Sequence, residues 1–239
     1  MQSQIDGVLR QHLVPARDFI YGFADLRGLV NQEFGEFQYG IVIGKKLDPV
    51  IVEKIMEGPT LEYFNHYRSM NADLKRLTVK ISEDLNQRGF GTRLVEPSVS
   101  TEQLDTTYKH NLRAALSHKM VATRAGLGWI GKTDLFISKK FGPRVRLVTI
   151  LTQTPLISVS RPINKSRCGT CCMCTDVCPA GAANGILWDT TIDRDQFFDA
   201  FKCRRQCAEF GRTRLQCDAR VCGICVAVCP IGKPPASIH

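Results

Sequence analysis

Apolar positions along the first two thirds of the chain recur with two different periods. From Thr60 to Arg88, Leu74, Leu77, Ile81 and Leu85 return at steps of three and four residues, the spacing that lines up side chains on one face of an α-helix. Gly89 follows at once as a stop. The pattern predicts a long amphipathic helix over 60–88 whose apolar face packs inward. Short β-rich runs at Tyr39–Ile43 (YGIVI), Thr92–Val95 (TRLV), Leu135–Ser138 and Val145–Leu151 read as strands. The last two flank KKFGPR, whose Gly142-Pro143 pair signals a turn, so a hairpin is expected there. Ala114 to Thr123 reads as a helix that runs into RAGLGWIGK, Arg124 to Lys132.

Gly126, Gly128 and Gly131 place three glycines within six residues. Such density indicates backbone pressed against something, whether another element or a ligand. A tight helix-to-strand connection explains it without a ligand. GLGWIG has the spacing GxGxxG, but a dinucleotide fingerprint needs a strand before it and a helix after it, and here a helix comes first.

The 239 residues, 44% of them apolar, suffice for one or two domains with an ordinary core. The opening MQSQIDGVLRQHLVPARDF is amphipathic and charged, without the apolar core of a signal peptide. No later stretch approaches the roughly 18 apolar residues of a membrane span. A cytoplasmic protein with no membrane partner is the expectation.

Cysteine usage sharpens that picture. Residues 1–167 contain none, and all eleven cysteines fall between Cys168 and Cys229. A break that sharp marks a module boundary near Pro162 and predicts an α/β domain over 1–160 followed by a cysteine-rich domain over 161–239. A reducing compartment disfavours disulfides and leaves metal binding or redox chemistry as the purpose. An odd number of thiols also excludes complete pairing.

Cys168 to Pro179 reads CGTCCMCTDVCP, the pattern CxxCxxCxxxCP, and Cys222 to Pro230 echoes it as CGICVAVCP. A cubane cluster needs four thiolates around one small centre. A loop with cysteines at i, i+3 and i+6 supplies three of them, and the cysteine before proline turns away to a second cluster. Neither motif completes its own site, so the two exchange ligands. Cys168, Cys171 and Cys174 with Cys229 form the first set; Cys178, Cys222 and Cys225 belong to the second. Three residues before Cys222 stands Ala219, so the second set takes its fourth ligand from Cys203, Cys207 or Cys217. Cys172 has no evident corner. Zinc also accepts four thiolates from CxxC pairs, but it has no use for a third cysteine at i+6 or for the CP ending. Two clusters imply electron transfer, and the long cysteine-free segment ahead of them implies a substrate, cofactor or partner there.

The formal charge is +9. Two oxidised cubanes, each about −2 with its thiolates, bring the holoprotein to about +5. With no long basic run and no aromatic-basic interleaving, this reads as a solvated basic surface before it reads as a nucleic-acid face.

Ser117 to Leu156, SHKMVATRAGLGWIGKTDLFISKKFGPRVRLVTILTQTPL, running into the double cysteine motif, resembles the epoxyqueuosine reductases. These are cobalamin-dependent iron-sulfur enzymes of queuosine biosynthesis, and the reductive dehalogenases are a more distant likeness. YGFADLRGLV and EYFNHYRSMNADLKRLTVKISEDLNQRGF are similar to the family's N-terminal corrinoid domain. The resemblance implies an α/β (α+β) fold class, with a nitroreductase-like corrinoid-binding domain followed by a two-cluster bacterial-ferredoxin-like module. It implies two 4Fe-4S clusters and a base-off cobalamin, an external electron donor of ferredoxin or flavodoxin type, and a small-molecule or modified-nucleoside substrate. The family's isolated cluster ligand follows a helix between the two motifs; FFDAFKC fits that place, which selects Cys203. Arg124, Gly126, Gly128, Trp129, Gly131 and Lys132 become candidates for cofactor binding, with Arg124 and Lys132 meeting phosphate or amide groups of the corrinoid tail. Exposed solubilising charge explains those two cations equally well.

Two departures bear on the substrate. The family's acidic proton donor, counted back without gaps from Ala125, falls near Leu112 in HNLRAA, where no carboxylate stands. The family also extends past the second CP motif into a helical region that grips tRNA, whereas nine residues follow Pro230 here. A changed substrate is therefore expected, with tRNA as an alternative partner. The remaining proton-donor candidates are His66 and Tyr67, with Tyr63 and Arg68 beside them, and His110 and His118, with Lys119, ahead of the glycine loop. Any one histidine is more often a surface or satisfied core residue. Alternatives in other classes are a non-catalytic electron carrier that reduces a partner's corrinoid or flavin, and a flavin held in the N-terminal domain.

Overall fold

The computed structural model describes residues 1–98 and 106–233. In chain order its regular elements are α1 (Gln2–His12), β1 (Phe19–Asp25), β2 (Tyr39–Lys46), α2 (Pro49–Glu53), α3 (Leu61–Gln87), β3 (Thr92–Val95), α4 (Thr106–Asn111) and α5 (His118–Arg124). There follow β4 (Gly128–Ile130), β5 (Phe136–Ser138), β6 (Val145–Thr152), α6 (Met173–Asp176), α7 (Arg194–Phe197), α8 (Ala200–Phe210) and α9 (Ile224–Val228). They form two compact units. One comprises Met1–Lys46, Ser69–Leu127 and Arg146–Ile163, and the other Leu47–Arg68, Gly128–Val145 and the chain from Asn164 onward. The last passage between them lies next to Pro162, but no single cut in the sequence separates them, because the second unit also draws in two earlier segments.

The first unit is built on a four-stranded sheet in the order β1-β2-β6-β3. β1 and β2 pair antiparallel, with Phe23 opposite Ile41 and Tyr21 opposite Ile43, and β3 pairs antiparallel with β6. The predicted long helix appears as α3, and Gly89 ends it in a left-handed conformation at φ +84°. Leu74, Ile81 and Leu85 on its inner face are fully buried and pack with Ile5 and Leu9 of α1 and with Ile41, Ile43, Val148 and Ile150 of the sheet. Each such side chain contributes about 1.5–3 kcal/mol by leaving water. α5 lies against β1 and β2.

Two expectations are corrected. The helix expected over 114–123 begins only at His118, where Ser117 caps it by accepting the Met120 N–H at 3.3 Å. Before that cap the chain has left α4 through Leu112, whose φ of 53° no helix can continue. The expected hairpin of β5 with β6 does not form. β5 pairs antiparallel with β4 in a separate two-stranded sheet, Gly128 opposite Ser138 and Ile130 opposite Phe136, while β6 lies between β2 and β3. The Gly142-Pro143 turn is real, but it closes on Ser138 by a single bridge. β6, buried at seven of its eight positions, is then committed to the larger sheet.

The second unit has a smaller core, with Val52, Ile55, Tyr63, Phe136, Phe197, Leu215 and Ile224 buried. α9 contacts both α2 and α6. Its long loops are punctuated by caps: Asp193 and Gln196 form a capping box at α7, and Asp199 caps α8.

Candidate iron-sulfur centre

The eleven cysteines all belong to the second unit, none of them in a disulfide. The first motif turns tightly: Cys168 O accepts the Cys171 N–H at 3.2 Å, and Cys172 O accepts the amides of Thr175 and Asp176 at 2.9 and 3.0 Å. That winding brings Cys168, Cys171 and Cys174 to one side. Burial raises the Cys174 thiol above its ordinary range, and the neighbouring Cys229, Cys168 and Cys171 raise it further. Cys229 is likewise pushed up by burial and by Cys168 and Cys171. These four thiols therefore feel one another.

A second group gathers on α8 and α9. Burial pushes Cys222 up to about 11, with Cys203 and Cys178 adding to it. Cys225 is raised by burial and then by Cys222, Cys203 and, across to the first group, Cys174. Cys207, one turn along α8 from Cys203, hydrogen-bonds to it, and that contact together with burial raises the Cys207 thiol. Cys171, Cys172 and Cys217 are exposed, and an Asp176 hydrogen bond raises the Cys172 thiol.

Several buried thiols cannot ionise together without repulsion and loss of hydration. A bound iron-sulfur core supplies the positive charge that lets them do so, and the donor set fits such a group. Among the described residues no three His, Cys, Asp or Glu side chains are gathered tightly enough for a single metal ion. A cubane is a larger guest with one thiolate per corner.

β4 and the residues after it surround the first group. The Trp129 indole N–H donates to Cys168 Sγ at 3.4 Å, and the Arg167 guanidinium lies 6.0 Å from the centre of that ring. Lys132, 6% exposed, donates from Nζ to Cys171 O at 2.9 Å. Buried Thr133 hydrogen-bonds to Cys174 and to Cys225, lowering both thiols. Arg144, 3% exposed, donates to the carbonyls of Ile231, Ala227 and Cys229 at 2.8, 2.9 and 2.8 Å, and its charge lowers Cys229. It thereby satisfies the carbonyls that α9 leaves open at its C-terminal end. Sequence reasoning missed Thr133 and Arg144. Thr133 adjoins the glycine motif, but nothing in the spacing marks Arg144.

The glycines answer to packing inside the chain. A Cβ on Gly128 would stand 2.1 Å from Ile137 O, which the β4–β5 pairing forbids, and one on Gly126 would meet Ser160 and Arg161 within 2.7 Å. Gly131 likewise faces Ile137. Arg124 donates to Ile163 O at 3.1 Å. The tight helix-to-strand connection is thus present, from α5 into β4.

The proton-donor candidates are divided between the two units. His66, in the second unit, accepts the Asp48 N–H on Nε2 at 3.1 Å, which anchors the cap of α2. Tyr63, on the same helix, is buried against Gly223; Tyr67 is half-buried. In the first unit His110 is exposed at the end of α4. His118 donates from Nε2 to Glu96 O and accepts the Thr149 hydroxyl on Nδ1, both at 2.9 Å. Desolvation lowers it to about 4, so its ring is neutral at pH 7. Both ring nitrogens are engaged. Leu112, near which a count without gaps puts the family's acid, bonds through its N–H to Tyr108 O.

No protein-family model matches the chain. It is similar in sequence to proteins described as epoxyqueuosine reductase. One, from Cyclobacterium marinum, is 28% identical over 208 residues, covering 78% of this chain and 62% of that protein. Another, from Lactococcus garvieae, is 32% identical over 120 residues, covering 50% and 33%. The chain thus spans less than two thirds of the length of these relatives. In fold it is similar to a crystal structure of epoxyqueuosine reductase bound to an epoxyqueuosine-modified tRNA stem loop (TM-score 0.61, 17% identity, 100% of this chain and 67% of that one). A catabolic reductive dehalogenase also resembles it (TM-score 0.59, 17% identity, 82% and 26%). The fold class is that mixed α+β architecture, and the resemblance to epoxyqueuosine reductases stands in sequence and in fold. Among the described residues no helix is long and apolar enough to cross a membrane.

Proposed function

We propose that the chain is a cytoplasmic iron-sulfur oxidoreductase that receives single electrons and passes them through two 4Fe-4S clusters to a centre where a substrate is reduced. The observation that carries this reading is the gathering of mostly half-buried thiols from both motifs into two mutually interacting groups. On this reading Cys168, Cys171, Cys174 and Cys229 hold one cluster, and Cys178, Cys203, Cys222 and Cys225 the other. Trp129, Lys132, Thr133 and Arg144 orient the ligands and set the local charge, as outer groups do at metal centres.

Cobalamin is the proposed group at the reducing centre, where it would supply a low-potential metal; the likeness to epoxyqueuosine reductases and reductive dehalogenases favours it over flavin. A small molecule or a modified nucleoside is the substrate class. With no carboxylate near Leu112, where a count without gaps puts the family's acid, epoxyqueuosine in tRNA is the less favoured choice.

Anaerobic reconstitution followed by cobalamin titration tests the proposal. The expected result is a brown protein with about eight irons per chain, two cubanes of four, and a base-off shift in the cobalamin spectrum. Colourless or zinc-loaded protein would overturn the reading altogether. Eight irons without cobalamin binding at micromolar protein would remove the corrinoid and leave an electron carrier.

A further inference from the structure

An open groove of about 630 Å³ runs along α8, lined by Pro179, Lys202, Arg205, Gln206, Glu209 and Arg212 among others. We propose that this groove docks an acidic one-electron carrier protein, and that the cluster held by Cys178, Cys203, Cys222 and Cys225 is where the electron enters. The inference rests on the two-cluster reading above.

Position along α8 makes the first argument. Lys202, Arg205, Gln206 and Glu209 follow one another at i, i+3, i+4 and i+7, one stripe of the helix, while Cys203 and Cys207 occupy the neighbouring stripe among the other thiols. Lys202 directly precedes Cys203, and Pro179 directly follows Cys178. The groove wall is therefore bonded to two ligands of one cluster. Electron transfer weakens steeply with distance, so entry belongs where ligands come nearest a protein surface.

Charge makes the second. Lys202, Arg205 and Arg212 line the groove against one carboxylate, Glu209; Arg212 pairs with Glu209 and Lys202 lies 3.9 Å from Asp199, which still leaves the wall net positive. Lys202 and Arg212 keep 51% and 73% of their side chains exposed. A cationic concavity attracts an acidic partner and speeds its encounter by ten- to a thousandfold. Val177 and Phe201, each next to a groove or ligand residue in sequence, are 45% and 41% exposed and offer the apolar contact a transient complex needs. No aromatic side chain lines the groove to stack a base, which disfavours single-stranded nucleic acid as its occupant.

The step itself moves one electron. The carrier's reduced 2Fe-2S centre is oxidised by one unit, and the acceptor cluster is reduced from its 2+ to its 1+ core, with no bond made or broken.

The test uses the reconstituted protein and a pre-reduced acidic plant-type ferredoxin in anaerobic stopped flow. Arg205→Glu with Arg212→Glu is compared with Arg17→Glu plus Lys80→Glu, an equal change of charge in the other unit. The groove variant is expected to lose tenfold or more in the ferredoxin-driven rate, together with most of its salt dependence. Its iron content and its rate with dithionite should match the parent's, and the control pair should stay within about twofold of the parent. Equal losses in both variants, or none in either, would overturn the proposal. So would an unchanged ferredoxin rate accompanied by lost binding of a tRNA stem loop, which would make the groove a nucleic-acid face. A parent protein that assembles no iron fails earlier, on the two-cluster reading and not on the groove.

Discussion

On the two-cluster reading, packing and redox chemistry meet in the side chain of Trp129. A hydrogen bond to a cluster thiolate withdraws charge from the iron core and raises its potential. Trp129→Phe keeps a ring on β4 but removes the N–H that points at Cys168. One cluster's midpoint is expected to fall by about 20–60 mV, the one-electron equivalent of a hydrogen bond worth roughly 0.5–1.4 kcal/mol. The other cluster should be unmoved and iron content unchanged, as followed by a potentiometric titration with spin-resonance detection. Two unmoved potentials would reduce the indole to a packing group. From the sequence, Trp129 and Lys132 stood out only as neighbours of glycines, and their expected partner was a corrinoid. A pattern along one strand marks a residue as special but does not name what it faces, and the loop containing Cys168 and Cys171 lies some forty residues on.

At the scale of elements, α8 presents two cysteines one turn apart, and one turn is the interval at which helical side chains become neighbours. If Cys203 is the ligand and Cys207 its hydrogen-bond donor, Cys203→Ala should lower iron from about eight to about four per chain, whereas Cys207→Ala and Cys217→Ala should each keep about eight. Iron loss in the Cys207 variant with retention in the Cys203 variant would reverse the two roles. The long helix α3 was legible because its burial is periodic and its stop is a glycine. The β5–β6 hairpin was misread because a Gly-Pro turn reverses the chain without choosing the partner strand. That choice went to β4 for a three-residue strand and to the larger sheet for a strand buried almost throughout. The helix ahead of the glycine loop was read four residues too early because apolar content carried over a cap, Ser117, that had to be seen as a start.

Across the molecule, the two units draw their cohesion from different sources. The first has the extensive apolar core between sheet and helices. The second relies on short elements, caps and, on the reading proposed above, metal–thiolate bonds, so iron binding and folding are coupled there. Anaerobic chelation of iron is expected to make the chain beyond Asn164 sensitive to limited proteolysis while fragments of the first unit persist. Equal resistance of both units after chelation would show that the thiols are held by packing alone.

By itself the sequence determined the periodicity of α3, the runs that become β2, β3, β5 and β6, and the chemistry of the cysteine motifs, because these are local properties of spacing and residue type. From the same spacing comes the expectation that the two motifs exchange ligands. Tertiary structure decided the interleaving of the two units, the strand partners, and which thiols lie within electrostatic reach of one another. It alone placed Thr133 and Arg144 beside the cysteines. Those are matters of proximity between residues far apart in the chain, set by packing and buried hydrogen bonds that no local pattern encodes.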